Sequence, residues 1–290
     1  MAIAMNALQS VLSIIVMILL GYYLARKGWF NDSVPTLFSR LLIGIAIPAL
    51  LISSLTSNFS KDDLMNSGVG ILAVYGAIGV SYGTSMIVAK LLNVKRGRRG
   101  IFYGLSAFAN TVFVGLPVTL ALFGDKSIPF ALLYYFANTS LFWTIGAYGI
   151  QQDGTSEETS IFTWTTLKKI VSPPLIAFAI AVVLILSDIK LPSFIANASK
   201  YMGNLSTPLS MIYLGIIISS TGLRGVKFDK DMLAVMLGRF LVTPLLVFSF
   251  LKFVPVTDLM RNVFIIQSAM PVLTQSAILA HSYNSDHEFA

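Results

Sequence analysis

The chain has 290 residues, 56% of them hydrophobic and 11% charged, and its mean hydropathy is +0.79. That balance excludes a water-soluble globular domain and specifies an integral membrane protein. The net charge of +7 then reads as the bias of cytoplasmic loops, not as affinity for nucleic acid, and with no cysteine there is no disulfide, thiolate nucleophile or cysteine-ligated metal.

The N-terminus has no charged leader region and runs straight into a full-length apolar stretch, so it reads as a first transmembrane helix and not a cleaved signal. Nearly charge-free windows of membrane-spanning length cover 3–25, 41–60, 64–89, 100–124, 127–152, 170–187, 201–223, 232–251 and 262–285. With the N-terminus outside, the inner loops hold Arg26, Lys27, Arg40, Lys90, Lys95, Arg96, Arg98, Arg99, Lys168, Lys169, Arg224, Lys227 and Lys230. The outer loops then hold only Lys61, Lys126, Lys190, Lys200, Lys252 and Arg261, the orientation the positive-inside rule prefers.

The fourth window is unlike the others. It carries Asn110, Thr111, Gly115 and Pro117 at its middle, and Pro117 has no N–H for the carbonyl of Phe113. An interrupted helix is expected there, tolerated only where it packs inside protein or lines a wet cavity. Secondary transporters place their substrates at such interruptions.

Residues 151–166 form the longest polar stretch and read as a linker between two related halves. Lys90, Val94, Arg99, Phe102, Ser106 and Ala107 recur 162 residues later as Lys252, Val256, Arg261, Phe264, Ser268 and Ala269. Ser39, Arg40 and Pro48 recur 160 residues later as Ser199, Lys200 and Pro208. Residues 1–150 are thus expected to be one five-helix repeat and 167–290 a second, which an odd number of spans turns upside down in the membrane. A partner for the fifth span would fall near 289–314, past Ala290, so the second repeat holds four helices and a tenth is expected to be absent from this chain.

The same offset carries Ala109 onto Pro271, in the ninth window. Gln267, Ser268, Thr274, Gln275 and Ser276 surround that proline, a second expected interruption. Two interrupted helices in inverted halves would cross near the midplane and aim their half-helix N-termini, each about +0.5 charge, at one site. Pro48 and Pro208 read as ordinary kinks. Asn138, in the fifth window, is a further candidate, either facing substrate or hydrogen-bonding a neighbouring helix.

F-A-N-T-V-F-V-G-L-P at 108–117, T-P-L-S-M-I-Y-L-G at 207–215, R-F-L-V-T-P at 239–244 and Y-N-S-D at 283–286 resemble the auxin efflux carrier family, and more narrowly its bacterial malate and malonate permease branch. The resemblance covers essentially the whole chain. It implies an all-α fold of two inverted five-helix repeats with crossing broken helices four and nine, as in the sodium–proton antiporters and bile-acid symporters. It also implies a homodimeric scaffold of spans one, two, six and seven, and an elevator-like transport core made of the rest. Asn110 and the breaks at Pro117 and Pro271 would lie beside the substrate.

All thirteen Asp and Glu residues fall outside the apolar windows. A cation carrier or carboxylate-based antiporter would need one at depth, whereas helix N-termini, amides and hydroxyls suit a carboxylate anion. The substrate-binding set expected from sequence is therefore Asn110, Thr111, Gly115, Pro117, Asn138, Gln267, Ser268, Pro271, Thr274 and Gln275, with no catalytic residue, metal or cofactor. The expected protein is a secondary transporter of a small carboxylate in a bacterial-type cytoplasmic membrane. A cation- or proton-coupled antiporter, a channel of the same fold and a non-transporting receptor are the competing readings. An intramembrane enzyme would need a catalytic constellation at depth, and the spans contain no Asp, Glu or Cys. Arg239 reads as snorkelling toward the cytoplasmic face or pairing structurally, with pairing to the substrate carboxylate or capping of a broken-helix carbonyl as the alternative, and His281 and His287 as solvated.

Overall fold

A computed structural model of the chain describes residues 2–31, 33–154, 172–221, 228–283, 285–286 and 288–290. Among these residues the regular elements are all helical, joined by one isolated β-bridge. In chain order they are α1 (Ala2–Arg26), α2 (Val34–Asn58), α3 (Lys61–Leu91), α4 (Arg99–Ala107), α5 (Thr111–Phe123), α6 (Asp125–Gly154), α7 (Pro173–Leu186), α8 (Ser193–Ser220), α9 (Lys230–Lys252), α10 (Asp258–Ser268) and α11 (Gln275–Ser282). Helices α2, α3, α6, α8 and α9 are each long and apolar enough to cross a bilayer unbroken. Each apolar window holds one helix except the fourth and ninth, which hold two.

Several boundaries move. Helix α2 starts at Val34 and α8 at Ser193, so Arg40 and Lys200, expected in loops, sit on helices with exposed side chains. A hydropathy window marks only the hydrocarbon depth, and a helix continues past it wherever its charged heads reach water. The polar stretch expected from 151 begins later, because α6 continues through Gly154. Residues 155–166, Lys168, Lys169, Arg224, Lys227, Asn284 and His287 lie outside the described residues.

Pro117 does not break its helix. A π-turn at Thr111–Gly115 precedes it, and α5 continues through it. The turns Leu42–Ala46 and Gly238–Val242 stand in the same relation to Pro48 and Pro244. A π-turn bonds i to i+5, so the proline falls where the regular bond is already given up and its ring has room.

The chain divides into two compact units, each drawing on both halves of the sequence. The first holds Met1–Met65, Val112–Leu132 and Val171–Val226. Within it α1 lies along α8, and Gly21 and Gly215 let the two backbones meet. A Cβ on Gly21 would overlap the Ile212 carbonyl, and one on Gly215 the Ile18 carbonyl. Phe113 and Tyr213 add a ring contact at 5.1 Å. Val16, Leu19 and Tyr23 of α1 and Val183 of α7 are exposed, as a lipid-facing surface requires.

The second unit holds Asn66–Thr111, Leu133–Ile170 and Lys227–Ala290. Here α4 packs on the end of α6, with Gly100 against the Gly149 carbonyl. Asp153 caps α4 from across the unit, its Oδ2 accepting from Gly100 N at 2.6 Å and Ile101 N at 3.4 Å. Arg98, just before α4, ties three segments together by pairing with Asp229 (2.9 Å), Asp231 (3.1 Å) and Asp286 (2.7 Å).

Candidate functional site: the crossing of two interrupted helices

Helix α4 ends at Ala107, and Phe108 turns extended at φ −102° and ψ 132°. Ala109 then forms an antiparallel bridge with Val272, and Asn110 N donates to the Pro271 carbonyl at 2.8 Å. Asn110 Nδ2 donates to Thr274 Oγ1 at 3.0 Å. Immediately afterwards α5 and α11 begin, at Thr111 and Gln275. Each interrupted span therefore satisfies its freed backbone with the other, which is what hydrocarbon demands of non-helical chain. The first interruption lies at 108–110, about two turns ahead of the expected Pro117. The second includes Pro271, as expected.

Asn138 supports the crossing through the backbone of Ala109. Its Oδ1 accepts from Ala109 N and its Nδ2 donates to Ala109 O, both at 3.0 Å, and the side chain is fully buried. A carboxamide carries the donor and acceptor of a peptide unit, so Asn138 stands in for a third strand beside Ala109. Of the alternatives open for Asn138, the structure displays the inter-helix hydrogen bonds.

Helix α9 closes the arrangement at the C-terminal ends of the two first halves. Thr243 Oγ1 lies 3.1 Å from the Ser106 carbonyl and 2.5 Å from Ser81 Oγ. Arg239 Nη2 donates to the Ser268 carbonyl. The hydroxyls of Ser106 and Ser268 both fold back onto their own helices, onto the Phe102 and Ile265 carbonyls. Arg239 is fully buried, so it does not snorkel: its π-turn points it at the end of α10 instead of along its own helix toward water.

Asn110, Thr111, Asn138, Gln267, Ser268, Pro271, Thr274 and Gln275 all belong to the second unit. Asn110, Thr111, Asn138, Gln267 and Ser268 are buried. Gly115 and Pro117 lie farther along α5, in the first unit. His281 sits in the last turn of α11. Sequence reading passed over Ser81, Tyr134 and Thr243. Ser81 and Thr243 are 162 residues apart, so the repeat offset would have paired them.

The N-termini of α5 and α11 open at the crossing, opposite the C-termini of α4 and α10, and all ion-paired carboxylates among the described residues except Asp258, which pairs with Arg261 on α10, lie in the Arg98 cluster. In that cluster the Met232 N–H, then the Arg98 guanidinium, hold the Asp229 carboxyl below the usual range. Burial alone would lower the Arg98 pKa, but its hydrogen bonds to Asp286, Asp231 and Asp229 outweigh this and raise it. No group of three or more metal-ligating side chains occurs among the described residues.

Residues 6–290 match the family described as membrane transport protein. The chain belongs to that family. The transporter is 30% identical to an uncharacterized transporter of Methanothermobacter thermautotrophicus over 284 residues, which covers 96% of this chain and 89% of the relative. It is 24% identical to an uncharacterized transporter of Methanocaldococcus jannaschii over 287 residues, covering 97% and 91%. The protein is thus an integral membrane transporter embedded in the bilayer, and its family and relatives are transporters, not enzymes.

Proposed function

We propose that the protein is a secondary transporter for a small carboxylate of the malate or malonate kind, bound where the two interrupted helices cross. The observation that carries this is the mutual bridge of Ala109 with Val272 and Asn110 with Pro271 and Thr274, with two half-helices starting immediately beyond it. Backbone N–H groups and partial positive charge at helix starts suit an acid group. The absence of Asp and Glu from the apolar windows argues against the sodium–proton antiporter alternative.

An inverted repeat of five helices per copy, 1–150 and 167–290, is supported by which residues touch. Residues near a two-fold pseudo-axis meet their own counterparts. Ser81 meets Thr243 at a separation of 162, and Ala109–Val272 and Asn110–Pro271 fall within one residue of that offset. An elevator cycle, with spans one, two, six and seven as a dimeric scaffold, is supported by the first unit's holding α1, α2, α7 and α8, although that unit also takes in Val112–Leu132 of spans four and five. Placement in a cytoplasmic membrane with the N-terminus outside follows from the loop charges.

Flux of radiolabelled malate and malonate into proteoliposomes, with binding measured over a dicarboxylate panel, tests the reading. Uptake that saturates is expected, and Asn110→Ala should weaken binding roughly tenfold or more, about 1.4 kcal/mol. No flux of any carboxylate alongside robust sodium–proton exchange would overturn it.

A further inference from the structure

We infer that Arg239 is the resident counter-charge of the transported anion, and that the carrier consequently exchanges one anion for another. This rests on the anion-carrier reading above. Arg239 is 0% exposed, and of its three guanidinium nitrogens only Nη2 has a partner, the Ser268 carbonyl. Nε and Nη1 have none. The buried Tyr134 hydroxyl lies beside the guanidinium and interacts with it, short of good hydrogen-bond geometry, and its ring leans on Phe264 at 5.7 Å. The ion pairs among the described residues involve Arg98 and Arg261, and none of their carboxylates reaches Arg239.

Leaving a charged donor unpaired in a low-dielectric interior is costly, and proteins answer such groups with a partner. Guanidinium N–H groups only donate, and a phenol that accepts from the guanidinium still has its own proton to give, so the matching ligand is an acceptor carrying negative charge, a carboxylate or a small inorganic anion. Its placement fits the transport path. Arg239 grips the interrupted span at Ser268, three residues before the Pro271 carbonyl that accepts from Asn110.

The charge balance sets the mode of transport. With a monoanion bound, or a dicarboxylate that keeps one proton, the buried site is neutral. Empty, it carries an uncompensated positive charge through every step that moves it across the bilayer. The loaded form crosses readily, and the empty form returns slowly. Net one-way uptake is therefore slow, and an anion waiting on the far side restores the cycle.

Two measurements on the purified full chain decide this. First, thermal unfolding is followed with chloride, sulfate, acetate and malonate. At least one anion should raise the midpoint, and the shift should vanish in Arg239→Gln, which keeps a donor for Ser268 but no charge, and persist in part in Arg239→Lys. No shift by any anion, or an equal shift in Arg239→Gln, overturns the site. Second, the anion giving the largest shift is used radiolabelled in uptake, so the wild-type chain alone suffices. Uptake into vesicles preloaded with that anion should exceed uptake into empty ones by at least about tenfold, and equal rates overturn exchange. An Arg239-dependent shift with inorganic anions and none with carboxylates would leave this inference standing and reject the carboxylate substrate.

Discussion

At the scale of single residues, Asn138 shows how a polar side chain in a membrane helix can serve backbone rather than ligand. Removing it leaves the N–H and C=O of Ala109 buried and unpaired, at about 1–3 kcal/mol for each orphaned group. Asn138→Ala should therefore lower the unfolding midpoint in detergent clearly, while Asn110→Ala, which removes the hydrogen bond to the Thr274 hydroxyl, should lower it less and weaken substrate binding more. A comparison of thermal unfolding with ligand binding for the two variants separates the roles. Nothing in the sequence around Asn138 distinguishes them, because its partner Ala109 lies in another span and offers only main chain. For Arg239, the snorkelling option fails for a similar reason, and the contact with a broken-helix carbonyl is the one displayed. Its distance from the helix end predicts reach to water, but the π-turn at Gly238–Val242 aims it inward.

Among the helices, proline has two unlike fates. Pro48, Pro117 and Pro244 each follow a π-turn and are carried within continuous helix, whereas Pro271 stands in extended chain whose carbonyl is used across the crossing. Pro117→Ala should then be mild, below about 1 kcal/mol, because its missing N–H is already accommodated. Pro271→Ala should leave the protein folded and yet impair uptake strongly, since residues 269–274 gain the option of joining α10 to α11. Helical content by circular dichroism, together with proteoliposome flux for each variant, checks this. The fourth span's interruption was legible in sequence from its polar and glycine content. Its position was not, because Pro117 is the loudest local signal while the true break at 108–110 is held by partners on another span.

Over the whole molecule, two units are assembled from alternating parts of the chain, and residues 162 and 163 apart meet at Ser81–Thr243 and Ala109–Val272. If the halves are inverted copies, their equivalent loops face opposite sides of the membrane. The chain has no native cysteine, so single substitutions report this directly. Lys95→Cys should react with an impermeant thiol reagent only from the cytoplasmic side and Lys252→Cys only from outside, and labelling of both from one side would refute the inversion. Membrane residence, the number of apolar segments and the presence of interruptions in the fourth and ninth were determined by sequence alone, because they depend on composition and on backbone chemistry local to each segment. The place of each break, the inward aim of Arg239, the use of Asn138 as a surrogate strand and the gathering of Arg98 with three distant carboxylates were decided only by the tertiary structure. Each depends on a partner far away in the chain, and hydrogen-bonding groups removed from water are satisfied by whatever the fold brings beside them.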